Sequence, residues 1–138
     1  MKTKNFKSVF TLTMMLVTVA MFFGCSKVGG DVRDDYVGSY RTNWEYVLNG
    51  QKNVGTYTLT ITKSATNVND IILGNIDGWG ESARATVSGN AFVIPQQTIL
   101  NIGISGSGTL NNNVLNFSTQ ETQTGGGQVN VTQIATKQ

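Results

Sequence analysis

From Tyr40 onward the chain alternates apolar and polar residues with a period of two, the repeat of a strand that buries one face. Tyr40, Trp44, Tyr46 and Leu48 share one face of a first strand, with Arg41, Asn43 and Glu45 on the other. Tyr57, Leu59 and Ile61 alternate with Thr56, Thr58, Thr60 and Thr62 in a second. Ile71 with Leu73, Ala83 with Ala85 and Val87, and Phe92 with Ile94 mark three more. Leu100, Ile102 and Ile104 alternate with Asn101, Gly103 and Ser105, and the pairs Leu115/Phe117 and Val129/Val131 complete a set of eight. Apolar residues nowhere recur at the spacings of an amphipathic helix, so helix is disfavoured throughout.

Turn residues separate these segments. Asn49-Gly50, Gly89-Asn90 and Asn111-Asn112-Asn113 tolerate the positive φ that tight hairpins require. The stretches 86–94 and 109–117 share one spacing of apolar and turn residues, a single hairpin design used twice. Eight sequential strands, each apolar on one face, bury that face either by closing into an antiparallel up-and-down barrel or by stacking as a two-sheet sandwich.

The N-terminus follows a different pattern. Lys2, Lys4 and Lys7 precede an apolar run of 15 residues, Val9 to Phe23, which ends at Gly24 and Cys25. That run is shorter than the roughly 20 residues a bilayer-spanning helix needs, and no basic stop-transfer cluster follows it. It is therefore expected to be a signal peptide, residues 1–24, with Gly24 the small residue ahead of the cut. Phe22-Phe23-Gly24-Cys25-Ser26 resembles a bacterial lipoprotein lipobox. The resemblance implies lipidation of Cys25, which stays on a membrane once two or more acyl chains are attached.

Processing changes the charge of the chain. The mature part, residues 25–138, holds 114 residues, enough for one domain, with 7 Lys and Arg against 8 Asp and Glu. No basic run remains in it, so no nucleic-acid partner is expected. The chain has a single cysteine and no histidine. Disulfides are thereby excluded, as are a Ser-His-Asp triad, a Cys-His pair and imidazole zinc sites, so neither an enzyme nor a cofactor is expected. Gly103-Ile104-Ser105-Gly106-Ser107-Gly108 lacks the spacing of a dinucleotide or nucleophile motif, and its glycines are expected to permit a bulge or sharp bend. Residues 25–35 are small and polar enough for a flexible tether ahead of a domain over 36–138, with Asp31, Asp34 and Asp35 a solvated flank to the first strand.

Asp35-Tyr36-Val37-Gly38-Ser39-Tyr40 resembles the opening of the small calycin-like (lipocalin-like) lipoproteins of Gram-negative bacteria, in which a glycine and an aromatic lead into the first strand. Ile104-Ser105-Gly106-Ser107-Gly108-Thr109-Leu110 is similar to a Gly-rich strand late in those domains. The resemblance implies the lipocalin-like barrel rather than the sandwich, and an outer-membrane address on either its periplasmic or its surface face. Tyr40 stands where lipocalins proper carry tryptophan.

An eight-stranded barrel is just wide enough to be filled by its own side chains or to hold one small ligand. Tyr40, Trp44, Tyr57, Phe92 and Phe117 are the inward rings that decide between these. Asp77-Gly78-Trp79-Gly80-Glu81 places two carboxylates and an indole in one short loop. Such a loop would stack a sugar on Trp79, or hold calcium, or simply cap the barrel with its tryptophan. Acid-base work by Asp77 and Glu81 is not expected, because nothing near them in sequence would raise one pKa above the other. The candidate residues are thus Cys25 for lipidation, and Tyr40, Trp44, Tyr57, Asp77, Trp79 and Glu81 for a ligand. The expected function is that of a membrane-anchored, non-enzymatic lipoprotein binding a small apolar ligand or an envelope partner. The alternative is a structural, inhibitory or glycan- or protein-binding surface module with a plugged core.

Overall fold

The computed structural model describes residues 30–138. The signal segment 1–24 and the lipidation residue Cys25 lie outside the described residues. A short helix α1 (Arg33–Tyr36) leads into eight strands: β1 (Gly38–Leu48), β2 (Gln51–Lys63), β3 (Asp70–Gly74), β4 (Ser82–Ser88), β5 (Ala91–Ile99), β6 (Ile102–Asn111), β7 (Val114–Gln123) and β8 (Gln128–Lys137). Each strand pairs antiparallel with the next, and β8 closes on β1 from Tyr40↔Lys137 to Glu45↔Thr132. The architecture is the closed up-and-down barrel, not the sandwich.

The period-two pattern maps onto the wall as expected. Leu59, Ile61, Ile71, Leu73, Ala83, Ala85, Phe92, Ile94, Leu115 and Phe117 all face the core, while the threonines of β2 face outward and are exposed. Leu100 departs from the pattern. It forms a two-residue turn with Asn101, both at positive φ (50° and 66°), and the buried residue at that strand end is Ile99. Asn49-Gly50 and Asn112-Asn113 form turns of the same kind, so three hairpins use the geometry that matches strand twist.

The bulge lies not on the Gly-rich strand but opposite it. The β5–β6 register slips between Ile94 and Gln97, where Pro95 has no N–H to give the ladder. On β6, Gly108 leaves room for two rings: a Cβ there would sit 2.3 Å from Phe117 Cβ and 2.8 Å from Phe92 Cζ. The β4–β5 ladder runs only from Thr86↔Val93 to Ser88↔Ala91. Beyond it the Gln97 amide takes over, accepting from Arg84 N at 3.0 Å and donating to Arg84 O at 2.9 Å.

The folded body begins at Asp31, within the stretch whose composition suggests a tether. Arg33, 9% exposed, donates to the carbonyls of Ser64, Asn67 and Asp70 and pairs with Asp31, which ties the single turn of α1 to the β2–β3 connection. Lys63 reaches both Asp31 and Asp34. These tertiary contacts, not helical periodicity, fix α1, and this is why the sequence pattern contains no sign of it.

α1 closes one end of the barrel. The Tyr40 hydroxyl donates to Tyr36 O at 2.7 Å and the Tyr36 hydroxyl to Gly89 O at 3.1 Å. The Tyr36 and Phe92 rings meet edge to face at 6.1 Å, and Phe92 packs on Phe117 at 5.8 Å. Gly108 beside these rings and the buried Ala85 and Ala135 are the small residues of the core in this part of the barrel.

Candidate functional site

The opposite end, where β1 meets β2 and β7 meets β8, is built differently. The β3–β4 connection folds over it as a tight loop: Ile76 N donates to Glu81 O, Gly78 N to Asn75 O and Trp79 N to Ile76 O. Asn75, in the left-handed region at φ 59°, clamps the loop, donating to Thr58 O at 2.8 Å and accepting from Gly80 N at 2.8 Å. Ile76 is fully buried and plugs the loop into the barrel. Asp77 follows at φ 53°, a conformation that Asp tolerates better than most residues, and its carboxylate turns into the interior.

Below the loop lies a polar floor. The Tyr57 hydroxyl donates to Gln133 Oε1. Gln133 Nε2 donates to Asp77 Oδ1 and, at 3.1 Å, to Thr119 Oγ1. Gln133, Thr119 and Thr42 are all fully buried. Two buried polar atoms, Thr42 Oγ1 and Asp77 Oδ2, have no hydrogen-bond partner among the described residues.

Above the floor is a cavity of about 250 Å³ lined by Trp44, Tyr46, Leu48, Asp77, Trp79, Glu121, Gln123, Val129 and Val131. Trp44 and Tyr46, successive inward residues of β1, stack at 5.5 Å with 13° between their planes. Gly55 makes the first of these placements possible, since a Cβ there would lie 2.3 Å from the Trp44 ring. A larger groove of about 460 Å³ runs outside the closed end between α1 and the Gly89-Asn90 and Asn112-Asn113 turns. Neither partnerless buried atom lines it, so the mouth is the better-equipped site.

Burial dominates the electrostatics of the mouth. It raises the Asp77 carboxyl to about 6 against the opposing hydrogen bond from Gln133. Burial, with Asp77 adding to it, raises Glu121 to about 7. Tyr57 is pushed well above the ordinary phenol range by burial and then by Asp77. The cavity lining contains no lysine or arginine.

The structure brings together four of the residues singled out in the sequence: Trp44, Asp77 and Trp79 line the cavity, and Tyr57 lies beneath it. Tyr40 sits about 13 Å further down β1, at about 3.3 Å per residue, packed in the closed end with its hydroxyl satisfied. Glu81 is exposed, and its carboxylate does not line the cavity with Asp77. The second carboxylate of the mouth is Glu121 from β7, a residue the local loop motif could not indicate. The alternation Leu115, Phe117, Thr119, Glu121 was its only signal in the sequence. Burial also supplies the raised carboxyl pKa values that neighbours in sequence gave no reason to expect.

Among the described residues no group of three or more His, Cys, Asp or Glu side chains is placed to hold a metal ion. Calcium binding by the 77–81 loop therefore has no geometric support, since its two carboxylates diverge. The chain matches no protein-family model, and no curated protein is detectably similar to it.

Proposed function

We propose that this protein is a membrane-anchored, non-enzymatic binding protein that takes a small ligand into the mouth of its barrel. One observation carries the reading: the interior is packed at the α1 end and open at the other, where a cavity of about 250 Å³ meets two tryptophans and a tyrosine. A cavity slightly under the about 300 to 1,000 Å³ of drug-sized sites suits a ligand of roughly one ring and a short chain. Three aromatic side chains supply apolar contact, so an apolar body is favoured, and the carboxylates beside them select a polar head.

The lipobox-like Phe22-Phe23-Gly24-Cys25-Ser26 supports the anchor, with lipid on Cys25 holding the barrel at the bacterial outer membrane. Chemistry on the ligand is disfavoured by the lack of histidine and of an activated nucleophile beside the carboxylates. Native mass spectrometry of protein extracted from its own membranes tests the reading. A stoichiometric small-molecule adduct that Trp79→Ala abolishes is the expected result. Adduct-free protein that also takes up none of a panel of one-ring compounds would refute it.

A further inference from the structure

Apart from the Thr42 hydroxyl, which has no partner among the described residues, the donors on the floor of the mouth are engaged. The Tyr57 hydroxyl gives its hydrogen to Gln133, and Gln133 Nε2 serves both Asp77 Oδ1 and Thr119. What remains on the acidic side of the cavity is acceptor capacity: the partnerless Asp77 Oδ2 and the carboxylate of Glu121. A partly desolvated carboxylate without a cation is costly, and among the described residues no basic side chain lines the cavity to supply one. The lining also carries π faces, Trp44 stacked with Tyr46 and Trp79 on the loop above, which attract positive charge.

We propose that the mouth recognises a small organic cation, a primary or secondary ammonium on a one-ring apolar body, with the ammonium at the Asp77 and Glu121 carboxylates and the body against Trp44, Tyr46 and Trp79. This rests on the reading of the mouth as a ligand site and names the ligand's charge class. An ammonium satisfies the acceptors with charge-assisted bonds, whereas a neutral hydroxyl leaves the carboxylates uncompensated and an anion is repelled. The titratable groups facing the ammonium are Asp77 from the loop, Glu121 from β7, Tyr46 from β1 and, beneath, Tyr57 from β2. Tyr57 stays neutral, while Asp77 at about 6 and Glu121 at about 7 lose their protons as pH rises. Affinity for an amine that stays protonated over this range therefore increases between about pH 5 and 8.

Both tryptophans of the chain line the cavity, so intrinsic fluorescence reports on it directly. The full chain in a non-ionic detergent is titrated with 2-phenylethylammonium, 2-phenylethanol and 3-phenylpropanoate at pH 8 and pH 5. At pH 8 the amine binds at least about tenfold tighter than the alcohol, and the propanoate binds weakest. At pH 5 the preference for the amine collapses, and Asp77→Asn and Glu121→Gln each reduce it at pH 8. Equal binding of amine and alcohol by the unaltered protein overturns the cation assignment and leaves the ligand site standing. Failure of all three to bind overturns both.

Discussion

Gln133 holds Asp77 in the mouth of the barrel: its amide Nε2 donates to Asp77 Oδ1 while its Oε1 accepts the Tyr57 hydroxyl. One fully buried amide thus joins β8 to β2 and to the β3–β4 loop. Replacing Gln133 with Leu keeps the approximate volume and leaves the Tyr57 hydroxyl and Asp77 Oδ1 without partners. The expected cost is about 2 to 3 kcal/mol in equilibrium urea unfolding, against about 1 kcal/mol for Tyr57→Phe, which orphans only Gln133 Oε1. Equal stability of Gln133→Leu and the parent would show that the network contributes nothing.

The carboxyls of the mouth also set a pH dependence. Asp77 and Glu121 are raised in the folded state from 3.8 and 4.5 to about 6 and about 7. Between those values the folded protein binds more protons than the unfolded chain, so their contribution is present below about pH 4 and is lost as pH rises to about 7. Asp31 and Asp70 act in the opposite direction. Hydrogen bonds from Arg33 and Lys63 hold the first below its ordinary value, and those from Thr86 and Arg84 the second, so their contribution is lost only as pH falls below about 4. The melting temperature is expected to decline from pH 4.5 to 7.5, and Asp77→Asn to flatten that decline. A melting temperature that climbs over this interval would contradict the burial of the two acids.

Leu100 occupies a turn position at φ 50° with 59% of its surface exposed. A branched aliphatic residue there gains little by burial and bears the cost of the left-handed region, about 1 to 2 kcal/mol. Leu100→Asn is expected to stabilise the protein by about 1 kcal/mol in urea unfolding. A destabilised variant would mean that Leu100 makes contacts that outweigh its backbone strain.

Much of the barrel was legible because its determinants are local. Alternation marked the inward face of every strand, and asparagine and glycine marked two of the three turns with paired positive φ. Leu100-Asn101 escaped because leucine is a poor advertisement for a turn, and α1 because tertiary hydrogen bonds from Arg33 hold it. The mouth was half legible. Trp44, Tyr57, Asp77 and Trp79 stand out by residue type, whereas Glu121 and Gln133 enter through barrel closure, which pairs β7 with β8 and β8 with β1. No spacing along the chain announces those neighbours, whereas Tyr40 lies at the far end from Trp44 simply because four residues of extended strand, about 13 Å, separate them.

The anchor is tested apart from the barrel. Cys25→Ser removes the sulfur that would carry the lipid, so the variant is expected to shift from the membrane pellet to the soluble fraction, with its strands unchanged by circular dichroism. A variant that pellets as the parent does would refute the lipoprotein reading.

The mouth itself is most directly read by fluorine NMR of the full chain labelled with 5-fluorotryptophan, because Trp44 and Trp79 are its two tryptophans and both line the cavity. On addition of 2-phenylethylammonium at pH 8, both resonances are expected to move together and saturably. Two resonances that stay fixed at millimolar amine would contradict an open, ligand-accepting barrel.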